Sequence, residues 1–105
     1  MSFVVIDRRG QMQPDVDEHR IDAVLADLDE NEDEEHSDVS LTLVGGWTLS
    51  AFPAGRLIWE NIELDDPPRH MLGVPRHRVK QLWLTLAAGH VATIESEPWS
   101  AGYGN

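Results

Sequence analysis

Apolar and polar residues alternate along several short segments of the chain, which is the pattern of strands with one buried face. Residues 39–43 and 47–51 each carry an apolar side chain at every second position, as half-buried strands do. Two further apolar segments, 3–6 and 57–59, are short and rich in residues that favour strands. The turns that join the three strands after residue 38 are too short for parallel crossovers, so the sequence predicts an antiparallel meander.

The segment 16–29 has the periodicity of an amphipathic helix. Its apolar residues recur at i, i+3, i+4 and i+7, namely Ile21, Val24, Leu25 and Leu28. Asp15 followed by Glu18 matches a capping box, which predicts Asp15 as the N-cap residue. The C-terminal end of this helix carries carboxylates where cations would suit the helix dipole, so we expect its last turn to fray.

A second amphipathic helix is predicted between Pro75 and Gly89. Proline is favoured at the first helical position, and glycine commonly ends a helix. The apolar face repeats at helical spacing and consists of Val79, Leu82, Trp83, Leu86 and Ala87. Since each helix has one apolar face, both can pack against the sheet.

Together these elements predict an α+β fold, with an antiparallel sheet of about 4–6 strands and two amphipathic helices packed on it. Met71-Leu72 is expected to add a short edge strand, and residues 91–94 a last strand. At 105 residues the chain predicts a single domain, which we place at residues 1–99. The glycine-rich residues 100–105 are expected to form a flexible tail.

Negative charge is concentrated in the first part of the chain. The formal net charge is -11 at pH 7. Residues 1–38 carry 13 acidic and 3 basic side chains, a net -10, and residues 39–105 carry 6 and 5, a net -1. The segment 29–38 has no apolar anchor and predicts an acidic loop. Such a field repels nucleic acids and anionic membranes and attracts basic proteins. The alternative is that the acidic surface serves only solubility.

No motif of the sequence predicts catalysis. Nucleophile, phosphate-binding and dinucleotide-binding motifs are absent, and there is no cysteine. The 5 histidines lack the spacing of metal ligands. The acidic segment resembles a calcium loop in its alternating carboxylates, but Glu32 replaces the required glycine and Asp38 the bidentate glutamate. Glu95 and Glu97 are interpreted as surface carboxylates rather than an acid/base pair. We therefore expect no enzymatic activity, no cofactor and no metal.

Tryptophan is abundant, with 4 residues in the chain. Trp47, Trp59 and Trp83 fall on the apolar faces of predicted strands or helices and are interpreted as core residues. Trp99 follows Pro98 in an irregular segment, and two interpretations remain open. Its indole either clamps the end of the sheet or serves as an exposed anchor in an interface.

The order of these parts resembles a family of predicted immunity proteins from bacterial polymorphic toxin systems. The matching parts are the amphipathic helix at 21–28, the meander with Gly45-Gly46-Trp47, the second helix at 75–89 and the ending Glu97-Pro98-Trp99. They cover most of the chain. Members of that family often accompany nucleic-acid deaminase toxins. The resemblance implies a protein that binds such a toxin and blocks it.

The expected function is therefore an immunity protein whose partner is a cognate toxin with a basic cleft. An acidic loop can occupy such a cleft as a mimic of phosphate. The alternative is a non-enzymatic adaptor or interaction module with another basic partner. No leader or membrane-spanning stretch is apparent, so we expect a cytoplasmic protein that binds neither membranes nor nucleic acid. The residues expected to contact the partner are Asp29, Glu30, Glu32, Asp33, Glu34, Glu35, Asp38, Glu63, Asp65, Asp66 and Trp99.

Overall fold

The computed structural model describes residues 2–30 and 38–104, except for the side chains of residues 29 and 30. The strands are β1 (Phe3–Ile6), β2 (Met12–Pro14), β3 (Val39–Leu43), β4 (Trp47–Ala51), β5 (Leu57–Asn61), β6 (Arg69–Met71) and β7 (Ser100–Ala101). The helices are α1 (Glu18–Glu30), α2 (Arg76–Ala87) and α3 (Val91–Glu95). Within these residues the strands form one 7-stranded sheet in the order β2-β1-β3-β4-β5-β6-β7. Each pairing is antiparallel. The predicted α+β class is confirmed, with more strands than expected.

The hydrophobic core lies between the two long helices and one face of the sheet. All but one of the apolar residues predicted for the helix faces are buried, and Ala87 is half-buried. The sheet contributes alternate positions, such as the cross-strand row Leu41, Leu49 and Trp59. The other face of β3 and β4 pairs small hydroxyl residues, with Ser40 opposite Ser50. This alternation is what the sequence predicts for strands with one buried face.

The N-cap of α1 is Asp17 rather than the predicted Asp15. The Asp17 Oδ1 accepts a hydrogen bond from the backbone N of Arg20 at 2.9 Å, the contact of an N-cap. Asp15 has a positive φ of 47°, and its Oδ1 accepts a hydrogen bond from the backbone N of Phe3 at 3.0 Å. Asp15 is therefore bonded to Phe3 at the open end of the β1–β2 hairpin, and α1 begins after that hairpin ends.

A cation does reach the C-terminal end of α1, although the helix itself supplies none in its last turn. Arg8, in the turn after β1, is 5% exposed, and its Nη1 donates to the Asp27 carbonyl at 3.0 Å. The guanidinium of Arg9 lies 4.0 Å from the Asp27 carboxylate. A tertiary contact thus provides the charge that the helix sequence lacks.

The C-terminal region differs from the prediction in three places. Residues 91–94 were expected as a strand but belong to the short helix α3, in which Ile94 is buried. Ser100–Ala101 forms β7 and pairs with β6, so these two residues belong to the sheet and not to a flexible tail. The backbone N of Gly102 also donates to the Pro68 carbonyl at 2.9 Å. Because β7 covers it, β6 is not an edge strand.

Candidate functional site

Two turns lie side by side at one end of the sheet. The first, residues 44–46, joins β3 to β4, and the second, residues 62–65, follows β5. The backbone N of Ile62 donates to the Gly46 carbonyl at 2.9 Å, which ties the second turn to the first. We call residues 44–46 and 62–65 together the turn platform.

Asn61, the last residue of β5, connects the two turns through its side chain. It is only 3% exposed. Its Nδ2 donates to the Gly45 carbonyl at 3.1 Å. Its Oδ1 accepts from the backbone N of Glu63 at 2.9 Å and of Leu64 at 3.1 Å. Because a buried amide with three hydrogen bonds has little freedom, the backbone of both turns is fixed relative to the sheet.

Gly46 fits between these groups only because it lacks a side chain. A Cβ at this position would lie 2.5 Å from Asn61 Oδ1 and 2.9 Å from Glu63 Cβ, and φ is +96°. The Gly46 carbonyl also accepts a hydrogen bond from the hydroxyl of Thr48 at 3.1 Å, and Thr48 is 6% exposed. The turn platform is therefore a packed, hydrogen-bonded unit.

The turn platform exposes three large aliphatic side chains. Val44 is 75% exposed, and Ile62 and Leu64 are each 62% exposed. The other exposed large apolar residues of the described chain are Met12 on edge strand β2, Leu72 after β6, and Tyr103. Met12 and Leu72 lie near opposite edges of the sheet, and single exposed apolar residues are common. Among the described residues, only the turn platform brings together three exposed aliphatic residues, on two turns that are joined by a backbone hydrogen bond.

Exposed carboxylates lie at the same end of the sheet as these aliphatic side chains. Glu63 and Asp65 belong to the turn platform and are exposed. Asp15 is also exposed and lies at the same end of the sheet, because it bonds to Phe3, whose partner Leu43 precedes Val44. This end of the sheet therefore carries exposed aliphatic side chains together with exposed carboxylates.

Asp66 is also predicted to bind the partner, but its negative charge is partly neutralised by a cation within the protein. Its Oδ2 accepts a hydrogen bond from Arg69 Nη2 at 2.8 Å. The same guanidinium lies 3.7 Å from the carboxylate of Glu95. Asp66 therefore anchors β6 next to the turn platform and presents less free charge than Glu63 or Asp65.

The acidic segment 29–38 joins the sheet at the opposite end from the turn platform. Asp38 is exposed and immediately precedes Val39, which pairs with Ala51. The turn platform begins at Val44 beyond the other end of β3, about 20 Å from Asp38 at the rise of an extended strand. Residues 29 and 30 end α1, and residues 32–35 lie outside the described residues. The structure therefore separates Asp38 from the platform carboxylates that were predicted to act with it.

Trp99 packs at the end of the core. Its ring lies parallel to that of Trp59, with centroids 6.2 Å apart, and Trp59 stacks on Trp47 at 4.8 Å. The Trp99 Nε1 donates to the carbonyl of Ile94 at 2.8 Å. These contacts fit the interpretation of Trp99 as a clamp at the end of the sheet. The ring is only half-buried, and its contact with a partner stays a prediction.

The described residues offer little for chemistry. They contain no group of at least 3 histidine, cysteine or acidic residues that could hold a metal ion. The two carboxylates near the C-terminus each face a cation: Glu97 lies 2.7 Å from Arg78, and Glu95 lies 3.7 Å from Arg69. Among the described residues 2–30 and 38–104, no helix has the length and apolar character needed to cross a membrane.

A shallow cavity of about 320 Å³ lies between α1 and α2. Lys80 lines it and reaches across to α1, where its Nζ lies 3.0 Å from the carboxylate of Asp22 and 3.6 Å from that of Glu18. The hydrogen bond to Asp22 raises the pKa of the Lys80 ammonium. This contact ties the two helices together, and we assign it a structural role.

The platform carboxylates Glu63 and Asp65 are among the residues predicted from the sequence to bind the partner, whereas the aliphatic residues of the turn platform are not. The Gly45-Gly46 pair predicts a turn, but nothing in the local sequence places Ile62 and Leu64 beside it. What brings them together is the buried side chain of Asn61, whose three hydrogen bonds depend on the register of β4 and β5. That register is not readable from local sequence.

Comparison of the chain with family models, with curated proteins and with solved structures gives no match. Function is therefore inferred from the chain and its surface.

Proposed function

We propose that this protein is an immunity protein that binds a cognate bacterial toxin in the cytoplasm and covers the toxin's basic active-site cleft, without chemistry of its own. The observation that carries the proposal is the charge: -11 over the chain, with -10 in residues 1–38. An enzyme that acts on nucleic acid needs a basic cleft to hold phosphate groups, and an acidic protein is complementary to it. A nucleic-acid deaminase is the toxin class that the family resemblance suggests.

Two properties of the surface support this role. Complementary charge steers association, and rates reach ~10⁸–10⁹ M⁻¹s⁻¹ at low salt. Fast capture matters for a protein that must act before its toxin does damage. The turn platform adds exposed aliphatic groups, and interface cores depend on such groups for short-range affinity. Long-range attraction and short-range contact are both needed for tight, rapid inhibition.

The first test is whether a neighbouring gene encodes a toxin, and its product, purified in active form, is then the partner in the assay. We expect the protein to abolish the toxin's activity at a one-to-one ratio and to displace a labelled oligonucleotide from its cleft. Binding that leaves the activity and the oligonucleotide in place would favour the adaptor alternative. Absence of binding would refute the proposal.

A further inference from the structure

On the basis of the proposed function, we infer that the turn platform makes the short-range contacts with the partner. The partner surface that it fits is an apolar pocket flanked by lysine or arginine side chains. Val44, Ile62 and Leu64 enter the pocket, while Glu63 and Asp65 pair with the flanking cations.

Rigidity is the first reason to assign this role to the turn platform. Asn61 bonds to both turns, and Gly46 is enclosed by Asn61 and Glu63. A surface that is already fixed loses little conformational entropy on binding, so more of the contact energy appears as affinity. Loops without such bonds lose part of that energy in becoming ordered.

The second reason is the grouping of the exposed aliphatic side chains. Each of the three is at least 62% exposed, and exposing large aliphatic groups to water is unfavourable unless something covers them. The two turns that carry them are joined by the hydrogen bond from Ile62 N to the Gly46 carbonyl, and exposed apolar residues that occur together mark interaction surfaces more often than single ones do. The fully buried centre of an interface is more apolar than its rim, so side chains of this kind belong at such a centre.

Charge identifies the class of partner. The turn platform has two exposed carboxylates, Glu63 and Asp65, and Asp15 is exposed at the same end of the sheet. A second copy of this chain would place like charges opposite each other, and each copy carries -11. Like charges in contact across an interface cost several kcal/mol and steer wrong partners away. The complementary surface is therefore basic, which matches a toxin cleft and not a homodimer.

The experiment compares two sets of paired variants against the inactive toxin from the neighbouring gene. The aliphatic variant V44S/I62S/L64S is matched by M12S/L72S, which removes exposed aliphatic groups elsewhere. The charge variant E63K/D65K is matched by E32K/D38K, an equal change of charge in the acidic segment. Urea unfolding confirms that each variant folds, and surface plasmon resonance measures association and dissociation.

We expect V44S/I62S/L64S to weaken affinity by at least ~30-fold, mainly through faster dissociation, while M12S/L72S stays within ~3-fold of the parent. We expect E63K/D65K to weaken affinity more than E32K/D38K at 150 mM salt. The charge pair alone decides the matter if the aliphatic variant does not fold, because exposed carboxylates are not needed for the core.

The outcomes separate this inference from the proposed function. If the parent binds the toxin and both platform variants bind equally well, the turn platform is not the contact surface, although the proposed function stands. If the parent does not bind, both fall. A dimer in sedimentation experiments that the aliphatic variant abolishes would assign the turn platform to self-association and overturn the assignment to a basic partner.

Discussion

Gly45 and Gly46 are neighbours in one turn but meet different surroundings. Both have positive φ angles, +107° and +96°. A Cβ at Gly45 would meet nothing within 4 Å, whereas at Gly46 it would lie 2.5 Å from Asn61 Oδ1. A side chain at either position would strain the backbone, because both φ angles are positive. Only at Gly46 would the added Cβ also collide with a neighbouring atom.

Gly46→Ala is therefore expected to destabilise the protein more than Gly45→Ala, by ~1–3 kcal/mol, the usual range for forcing extra atoms into a packed site. Urea unfolding of both variants and the parent measures the difference, and Gly45→Ala serves as the control for strain alone. Equal losses would mean that Asn61 moves aside freely and that the turn platform is less rigid than its hydrogen bonds indicate.

Some individual residues of the turn platform can be predicted from the sequence, and others cannot. A glycine pair between two alternating segments indicates a turn, and Glu63 and Asp65 are recognisable as exposed carboxylates. The role of Asn61 is not recognisable, because an asparagine after a strand is usually a solvated turn residue. Only its burial against the β3–β4 turn, a tertiary contact, makes it a structural amide.

Helix α2 shows how far periodicity alone determines an element. The predicted face of Val79, Leu82, Trp83 and Leu86 is buried, with Trp83 at 0% exposure. Trp83→Ala is expected to cost ~3–5 kcal/mol in the free energy of unfolding, measured by urea or thermal unfolding. Gln81→Ala, on the exposed side of the same helix, should change stability by no more than ~0.5 kcal/mol. An unchanged melting temperature for Trp83→Ala would contradict this packing.

The contact between α1 and α2 makes one part of the stability depend on pH. The hydrogen bond to Asp22 raises the pKa of Lys80 above its ordinary value of 10.5. A raised pKa in the folded state stabilises the fold below the unfolded value, and this stabilisation is lost as the pH rises through the folded value. Its contribution is thus complete at neutral pH and disappears above about pH 10.5.

The variant Lys80→Gln tests this link. We expect it to be less stable than the parent at pH 8, and the difference to shrink as the pH rises beyond 10.5. Urea unfolding of parent and variant from pH 8 to 11.5 measures it, since other titrating groups are common to both proteins. A difference that stays constant with pH would show that the packing of the lysine stem matters and its charge does not.

Elements near the C-terminus were harder to predict, for a physical reason. Four residues such as 91–94 are too short for periodicity to separate a strand from a helical turn. The two residues of β7 have little strand propensity of their own, and their place in the sheet comes from hydrogen bonds to β6. By contrast, β3 and β4 carry a full alternating pattern, and their residues were predicted correctly.

Among the described residues, exposed carboxylates lie at both ends of the sheet, with Asp38 at one end and Glu63 and Asp65 at the other. The turn platform carries Glu63 and Asp65, and Asp38, where the acidic segment joins β3, lies about 20 Å away along that strand. The sequence predicts these carboxylates as one partner-binding surface. Composition alone does not show how far apart two loops lie in the folded chain, and the structure separates them. Their separation suggests different roles, with short-range contact at the turn platform and long-range attraction from the acidic segment.

Replacing Glu32, Asp33, Glu34 and Glu35 by serine tests this division. Screening limits charge interactions to ~30 Å at 10 mM salt and ~8 Å at 150 mM. If these charges act only by steering, their effect on the association rate is present at low salt and screened at 150 mM. We expect the variant to associate more slowly with the inactive toxin at 10 mM, to match the parent at 150 mM, and to dissociate at the parent's rate, as is usual when only steering charges are removed. Faster dissociation at 150 mM would mean that the segment touches the toxin directly. Identical kinetics at both salts would leave the segment a solubilising loop.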